Sequence, residues 1–226
     1  MKTDLNNKKQ DRLVATLSRL WKDEQDHTMI SETIQALDTR YHLNKKVGGE
    51  PGVEGIIKQM FGRLANSFGR LSSIQDKRIL DIACGSNTSK APASFQIATP
   101  FGEMRIGRSK RGYTAQFEPW FCRILIELGA NPVGVDFGDL EHEAFTHYQV
   151  DLGKTGALDF LPSHSFDAIQ DSRLFGSPEF TAQFPNRADR LKVAQEIRRQ
   201  EQRLLKIDGI MIHSDATALL ESKGIS

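Results

Sequence analysis

The feature that most constrains the fold is a series of short apolar segments after residue 77, four of which carry an acid at or near their end. They occupy residues 78–83, 132–136, 148–151, 165–171 and 210–214. Segments with helical periodicity lie between them, at residues 117–128 and 187–206. Strands that alternate with helices predict an α/β fold with a doubly wound, mostly parallel sheet. In such a sheet, ligands bind at the carboxyl ends of the strands.

The first 75 residues follow a different pattern. Apolar residues recur at helical spacing in residues 11–22, 31–41 and 53–71. Turn-forming residues at 45–52 separate the second helix from the third. We therefore expect a helical N-terminal extension or cap at residues 1–75 and an α/β domain at residues 76–226.

The composition excludes several classes of function. A net charge of +1 provides no global attraction to nucleic acid or to an anionic membrane. The two cysteines, Cys84 and Cys122, form no CxxC pair, which favours a reducing compartment. His142 and His147 are five positions apart rather than four, so the zinc-protease pattern is absent. We expect a cytoplasmic protein with no metal, no signal peptide and no membrane-spanning helix.

The turn after the first strand indicates the type of ligand. A dinucleotide needs a turn of the form GxGxxG, whereas the segment ILDIACGS at residues 79–86 provides only Gly85. Asp81 would also repel an anionic pyrophosphate. A carboxylate suits a cation instead, and a glycine lets a ligand approach the backbone closely. The turn therefore argues against NAD and favours a cationic nucleoside.

Residues 79–86 resemble the first motif of the class I S-adenosylmethionine-dependent methyltransferases, in which a hydrophobic strand leads to an acid and a glycine-containing turn. Four more segments match that family in the same order. They lie at residues 131–136, at 150–152, at 165–171 (similar to the family's S-F-D-x-I strand) and at 204–212 (similar to its L-L-K-P-G-G turn). The resemblance implies a Rossmann-like fold, here truncated after about five strands, with S-adenosyl-L-methionine as cofactor.

The resemblance also implies the residues of the site. Asp81 and its turn would receive the methionine end of the cofactor, Asp136 the ribose hydroxyls, and Asp151 with Leu152 the adenine. The expected cofactor-binding residues are Asp81, Ala83, Gly85, Ser86, Asn87, Glu118, Asp136, Phe137, Asp151, Leu152, Gln170 and Asp171. For Glu118, the alternative is an acid that only stabilises a helix start. The catalytic candidates are Gln170, Asp171 and His213, although a histidine in a strand is also typical of a packed core.

Residues 86–116 depart from the family pattern, because they form a long insert before the next helix. The insert holds Arg105, Arg108, Lys110 and Arg111 against the acid Glu103. Alternating apolar residues at 94–101 and 103–106 predict a hairpin in it.

Three functions follow from these features. The first is methyl transfer to a small molecule, with a homodimer left open. The second is a non-catalytic methyltransferase-like binding module that acts through partners. The third is a nucleic-acid methyltransferase that uses the basic insert.

Overall fold

The chain forms an α/β fold in which helices cover both faces of a parallel sheet, as a computed structural model shows. The structure describes residues 2–43, 53–86, 94–99, 102–107, 118–138, 140, 142–172, 174–175 and 177–225. Asn87 and most of the insert lie outside these residues, so the predictions made for them stay predictions. Within the described residues, none of the helices combines the length and the apolarity that crossing a bilayer requires.

Three helices precede the sheet, as the sequence predicted. They are α1 (Lys2–Leu17), α2 (Glu24–Tyr41) and α3 (Val53–Phe68), and a short 3-10 helix follows at Leu71–Ile74. Helix α2 begins after Asp23, whose side chain accepts a hydrogen bond from the backbone N–H of Gln25 at 2.8 Å. Helix α3 forms because its apolar residues share one face. That face is buried and consists of Val53, Ile56, Ile57, Met60, Phe61 and Leu64.

Each strand and each helix that the sequence predicted after residue 77 has a counterpart in the structure. The strands are β1 (Arg78–Ile82), β2 (Ser94–Thr99), β3 (Gly102–Gly107), β4 (Asn131–Asp136), β5 (Thr146–Gln149), β6 (Phe166–Asp171) and β7 (Leu205–Ser214). The other helices are α4 (Trp120–Glu127), α5 (Pro178–Gln183), α6 (Arg187–Leu204) and α7 (Asp215–Glu221). Strands β2 and β3 form the predicted antiparallel hairpin, which lies next to α5.

Five strands form one sheet in the order β5-β4-β1-β6-β7, with every pair parallel. This confirms the α/β fold and the parallel sheet, and the arrangement is consistent with a Rossmann-like fold. The chain proceeds from β1 outward to β5 and then returns to the other side of β1 at β6. The strand order therefore reverses between β1 and β6, and such a reversal opens a crevice beside the strand ends.

The sheet has two apolar faces, because successive side chains of a strand point to opposite sides. Ile79 and Ala168 belong to the core that the sheet forms with α1, α2, α3 and α4, and we call this side the N-helix face. Leu80, Ile82 and Ile169 belong to the core formed with α6 and α7, which we call the C-helix face. The sheet is thus the middle layer of three.

The N-terminal helices are part of this layered core. Trp21 meets Phe61 edge-on, with ring centroids 6.0 Å apart, and Tyr41 meets Trp120 in the same way at 6.2 Å. Both pairs join elements that are distant in the sequence and bury their rings together. The helices before residue 75 therefore cover one face of the sheet, while the division of the chain at residues 75 and 76 stays a prediction.

Candidate functional site

Three polar side chains form a row across the N-helix face near the carboxyl ends of β1, β6 and β7. The strand register pairs Asp81 with Gln170, and Gln170 with His213. Nε2 of Gln170 donates a hydrogen bond to Oδ1 of Asp81 at 3.3 Å. Because the row crosses the point where the strand order reverses, it lies where an open α/β sheet binds its ligands. We call these residues the polar row.

Asp81 is the acid of the polar row, and its pKa is strongly raised. Its side chain is 1% exposed, and burial raises its pKa from the ordinary aspartate range to about 7. Hydrogen bonds from Gln170 and from the Cys122 thiol, with Sγ 3.7 Å from Oδ2, offset part of this rise in pKa. The charge on Asp81 therefore depends on pH near neutrality and on any cation that comes close.

Arg63 of helix α3 reaches the polar row from the N-terminal layer. Its Nη1 donates to Oε1 of Gln170 at 3.4 Å. Burial lowers the pKa of the Arg63 guanidinium, and the carboxylates of Asp215, Asp81 and Asp171 act in the opposite direction. Sequence reasoning missed this residue. The sequence feature that could have identified Arg63 is that it is a single arginine in a helix whose inward-facing residues are otherwise apolar.

Asp136 joins the turns that follow β1 and β4. Its Oδ2 accepts a hydrogen bond from the backbone N–H of Gly85 at 3.0 Å, and its Oδ1 accepts one from Gly138 at 2.8 Å. Ser86 packs directly on Gly138, since a Cβ added there would lie 2.7 Å from the Ser86 hydroxyl. Phe137, beside them, is 58% exposed.

Ala83, at the start of the first turn, adopts a backbone conformation that favours glycine. Its φ is 59°, in the left-handed region, which costs a residue with a Cβ roughly 1 kcal/mol. We expect Ala83→Gly to raise the free energy of unfolding by up to about 1 kcal/mol in urea denaturation. The matched control is Ala15→Gly on the exposed side of α1, which should lower it by about 1 kcal/mol. A loss of stability in Ala83→Gly would show that this turn is not left-handed.

Asp151 and Leu152 follow β5. Oδ1 of Asp151 accepts the backbone N–H of Gly153 at 3.1 Å, and Oδ2 lies 3.7 Å from Nζ of Lys154. Leu152 is 5% exposed and packs in the core of the C-helix face. The ring of Phe184 covers Gly153, because a Cβ added there would lie 2.5 Å from it. The turn that follows β5 is therefore covered by an aromatic side chain from the segment after β6.

The carboxylate of Glu118 lies in the interior. It pairs with Arg123, whose Nη2 also lies 2.6 Å from Oε1 of Glu143. All three side chains are at most 4% exposed, and the guanidinium lies 4.0 Å from the ring centroid of Tyr41 and 4.8 Å from that of Trp120. This geometry favours a structural role for Glu118, and the predicted contact with a cofactor stays a prediction.

The three catalytic candidates do not lie together. Gln170 and His213 belong to the polar row, and Nε2 of His213 lies 2.7 Å from Oδ1 of Asp215. Asp171, one residue further along β6, points to the C-helix face. There its Oδ2 accepts the backbone N–H of Ala216 at 2.8 Å. Neighbouring residues of a strand face opposite sides, so the sheet separates Asp171 from Gln170.

Among the residues that the structure describes, no group of three or more His, Cys, Asp and Glu side chains is arranged to hold a metal ion. Cys84 and Cys122 are both buried, and burial raises the pKa of each thiol. Both thiols are therefore poor ligands and weak nucleophiles at neutral pH.

Comparisons of this chain with protein families, curated proteins and solved structures find no match.

Proposed function

We propose that this protein binds S-adenosylmethionine at the carboxyl ends of β1, β4 and β6 and transfers its methyl group to a small molecule. The observation that carries the proposal is the strand order. It brings Asp81 and Asp136, which are distant in the sequence, to the ends of the neighbouring strands β1 and β4, and β1 also borders the point where the order reverses. Acids at this edge suit a cationic nucleoside better than they suit a pyrophosphate.

The pKa of Asp81 supports a cationic ligand. In the free protein this carboxyl group ionises only near pH 7, because its charge is buried. A cation within about 4 Å would stabilise the ionised form by up to about 4 kcal/mol at an effective dielectric constant near 20. Binding of the ammonium end of the ligand would therefore release the proton of Asp81. The expected affinity rises with pH between about 6 and 8 for that reason.

Asp136 would hold the ribose of the ligand. Its carboxylate already fixes the backbone of Gly85 and Gly138, so it is held rigidly between the two turns. A rigid acceptor binds a diol without the entropic cost of ordering a free side chain. The exposed ring of Phe137 lies next to it and offers an apolar surface for a base or ribose.

Methyl transfer requires positioning more than chemical assistance. When bound, the cofactor supplies an electrophilic methyl group. Gln170 and Arg63 can hold the acceptor in line with it, since both lie at the polar row. The ring of His213, whose side chain is 33% exposed, is held by Asp215 through Nε2. Its Nδ1 can then take the proton that a hydroxyl or amine acceptor loses.

A small acceptor is favoured over nucleic acid because the N-terminal layer packs over the polar row and leaves less room for a large substrate on that side. The hairpin of β2 and β3 lies next to α5, in the segment after β6, and α3 covers the row from the N-terminal side.

One observation favours the alternative of a non-catalytic module. Asp81 is only 1% exposed, so a ligand reaches it only if Gln170 or the first turn moves.

Calorimetry with S-adenosylmethionine and S-adenosylhomocysteine tests the proposal. We expect both to bind the wild-type protein, and we expect Asp136→Asn to weaken binding by about 10-fold to 100-fold, as for a lost hydrogen bond to a charged group. Asp189→Asn, the same change at a half-exposed acid of α6, should bind like the wild type. An absence of binding heat at millimolar ligand would overturn the proposal and favour the non-catalytic module.

A further inference from the structure

Two carboxyl groups meet in the interior on the C-helix face. Asp171 ends β6 and is fully buried, and Glu201 of α6 is 1% exposed. The hydroxyl of Ser214 lies 2.9 Å from Oε2 of Glu201 and 3.4 Å from Oδ2 of Asp171. A hydroxyl has one proton, so it can donate to only one of the two carboxyl groups at a time. We call Asp171 and Glu201 the carboxyl pair.

Each member of the pair has an oxygen that no described residue satisfies. Within the described residues, Oδ1 of Asp171 and Oε1 of Glu201 are buried and have no hydrogen-bond partner. After burial, the charge of Asp171 is the next cause that raises the pKa of Glu201, so the two carboxyl groups are close. Two ionised carboxylates in this position would repel each other and leave acceptors unsatisfied, at a considerable cost in free energy. One proton between them turns one carboxyl group into a donor and removes both problems.

The charges around the pair do not replace that proton. Arg198 on α6 lowers the pKa of Glu201, and Arg63 on α3 is attracted to Asp171. Asp215 at the start of α7 acts in the opposite direction and raises the pKa of Asp171. Within the described residues, neither carboxyl group forms a salt bridge, and no group of ligands for a metal ion is present. A shared proton is therefore the remaining way to relieve the repulsion within the pair.

We propose that Asp171 and Glu201 share one proton at neutral pH and that this proton locks the corner where β6, β7, α6 and α7 meet. Ser214 caps α7 by accepting the backbone N–H of Thr217 at 3.0 Å. Asp171 accepts the N–H of Ala216 from the same turn. The lock thereby fixes the start of α7, which carries the partner of His213. It does not depend on the identity of the ligand and so stands independently of the proposed function.

The pH dependence of this lock has a definite sign. Burial, and next the charge of Asp171, raise the pKa of Glu201 to about 8, and burial also raises that of Asp171. An unfolded chain loses these protons near pH 4, so folding takes up a proton between about pH 4 and pH 8. The free energy of unfolding should fall as the pH rises through that range. The stabilisation that these protonated carboxyl groups provide is complete only below that range.

Glu201→Gln tests the lock by replacing the shared proton with a permanent amide donor. We expect the fall in thermal midpoint between about pH 6 and pH 8 to become shallower, and the proton uptake on folding to decrease by about one. Glu221→Gln, which removes the same charge from an exposed position of α7, should leave both quantities unchanged. If Glu201→Gln folds and retains the wild-type pH dependence, the proposal is wrong.

A second measurement covers the case in which Glu201→Gln does not fold. Infrared spectroscopy in D2O detects the carbonyl band of a protonated carboxyl group in the intact protein. Asp81 contributes to that band near neutral pH, so the Asp81→Asn variant is used. The proposal expects a band that persists at pH 7 and disappears above pH 8. Absence of the band at pH 7, or stabilisation by a divalent cation that a chelator reverses, would overturn it.

Discussion

Replacing Arg123 with Leu lowers the free energy of unfolding by about 3–5 kcal/mol, because it removes the cation that two buried carboxylates bind. Glu118 and Glu143 have side chains that are 3% and 1% exposed, so water cannot replace the guanidinium. The change also removes the stacking of Arg123 on Tyr41 and Trp120. Urea denaturation followed by far-UV circular dichroism at neutral pH measures the loss.

Arg199→Leu is the matched control for this prediction. Arg199 pairs with Glu196 on the outer side of α6 at 2.7 Å, and its side chain is 53% exposed. Exposed ion pairs contribute less than about 1 kcal/mol, so this variant should remain close to the wild type. Adding Glu143→Gln to Arg123→Leu should recover part of the loss by removing one buried charge. Equal costs for Arg123→Leu and Arg199→Leu would show that the two carboxylates reach solvent.

Asp81→Asn should remove most of one pH-dependent contribution to stability. The pKa of Asp81 is raised to about 7 in the folded protein, so its contribution is present at acidic pH and is lost as the pH rises toward 7. A difference of about three pKa units from the unfolded chain corresponds to about 4 kcal/mol. Relative to the wild type, the variant should therefore gain up to about 4 kcal/mol between about pH 4 and pH 8.

The same variant separates stability from ligand binding. If Asp81 faces the ammonium of the ligand, Asp81→Asn should bind S-adenosylmethionine more weakly at pH 8 and lose the rise of affinity with pH. Glu201→Gln lies on the other face of the sheet and should retain that rise. A wild-type stability that is flat from pH 5 to 8 would contradict the raised pKa of Asp81.

The order of elements could be predicted because local signals agree with the tertiary fold. Strand β1 is buried on both faces, which is typical of a central parallel strand, and α3 has one continuous apolar face. The hairpin at residues 94–107 follows from simple alternation. The likeness of residues 204–212 to the L-L-K-P-G-G segment predicted a turn before the last strand, whereas the structure places residues 205–214 inside β7, where the register shifts against β6. A bulge and a turn have the same local composition, so the sequence does not distinguish them.

The candidate site was predictable only as a set of strand ends. Gln170 and Asp171 are adjacent in the sequence, but they face opposite sides of the sheet, and only the register of β6 determines which side each faces. Arg63 and Glu201 come from helices far along the chain, so their positions follow from packing rather than from a motif. The second carboxylate bound by Arg123 is likewise set by the fold, because Glu143 lies beyond β4.

The shared core of the N-terminal helices and the sheet limits how the chain can be shortened. Ile79, Trp120 and Ala168 are fully buried against residues that precede position 75. A truncated protein that starts at residue 76 would expose this apolar surface of the central strands to water. We expect the truncated protein to self-associate and precipitate, so any shortened version has to retain the N-terminal helices.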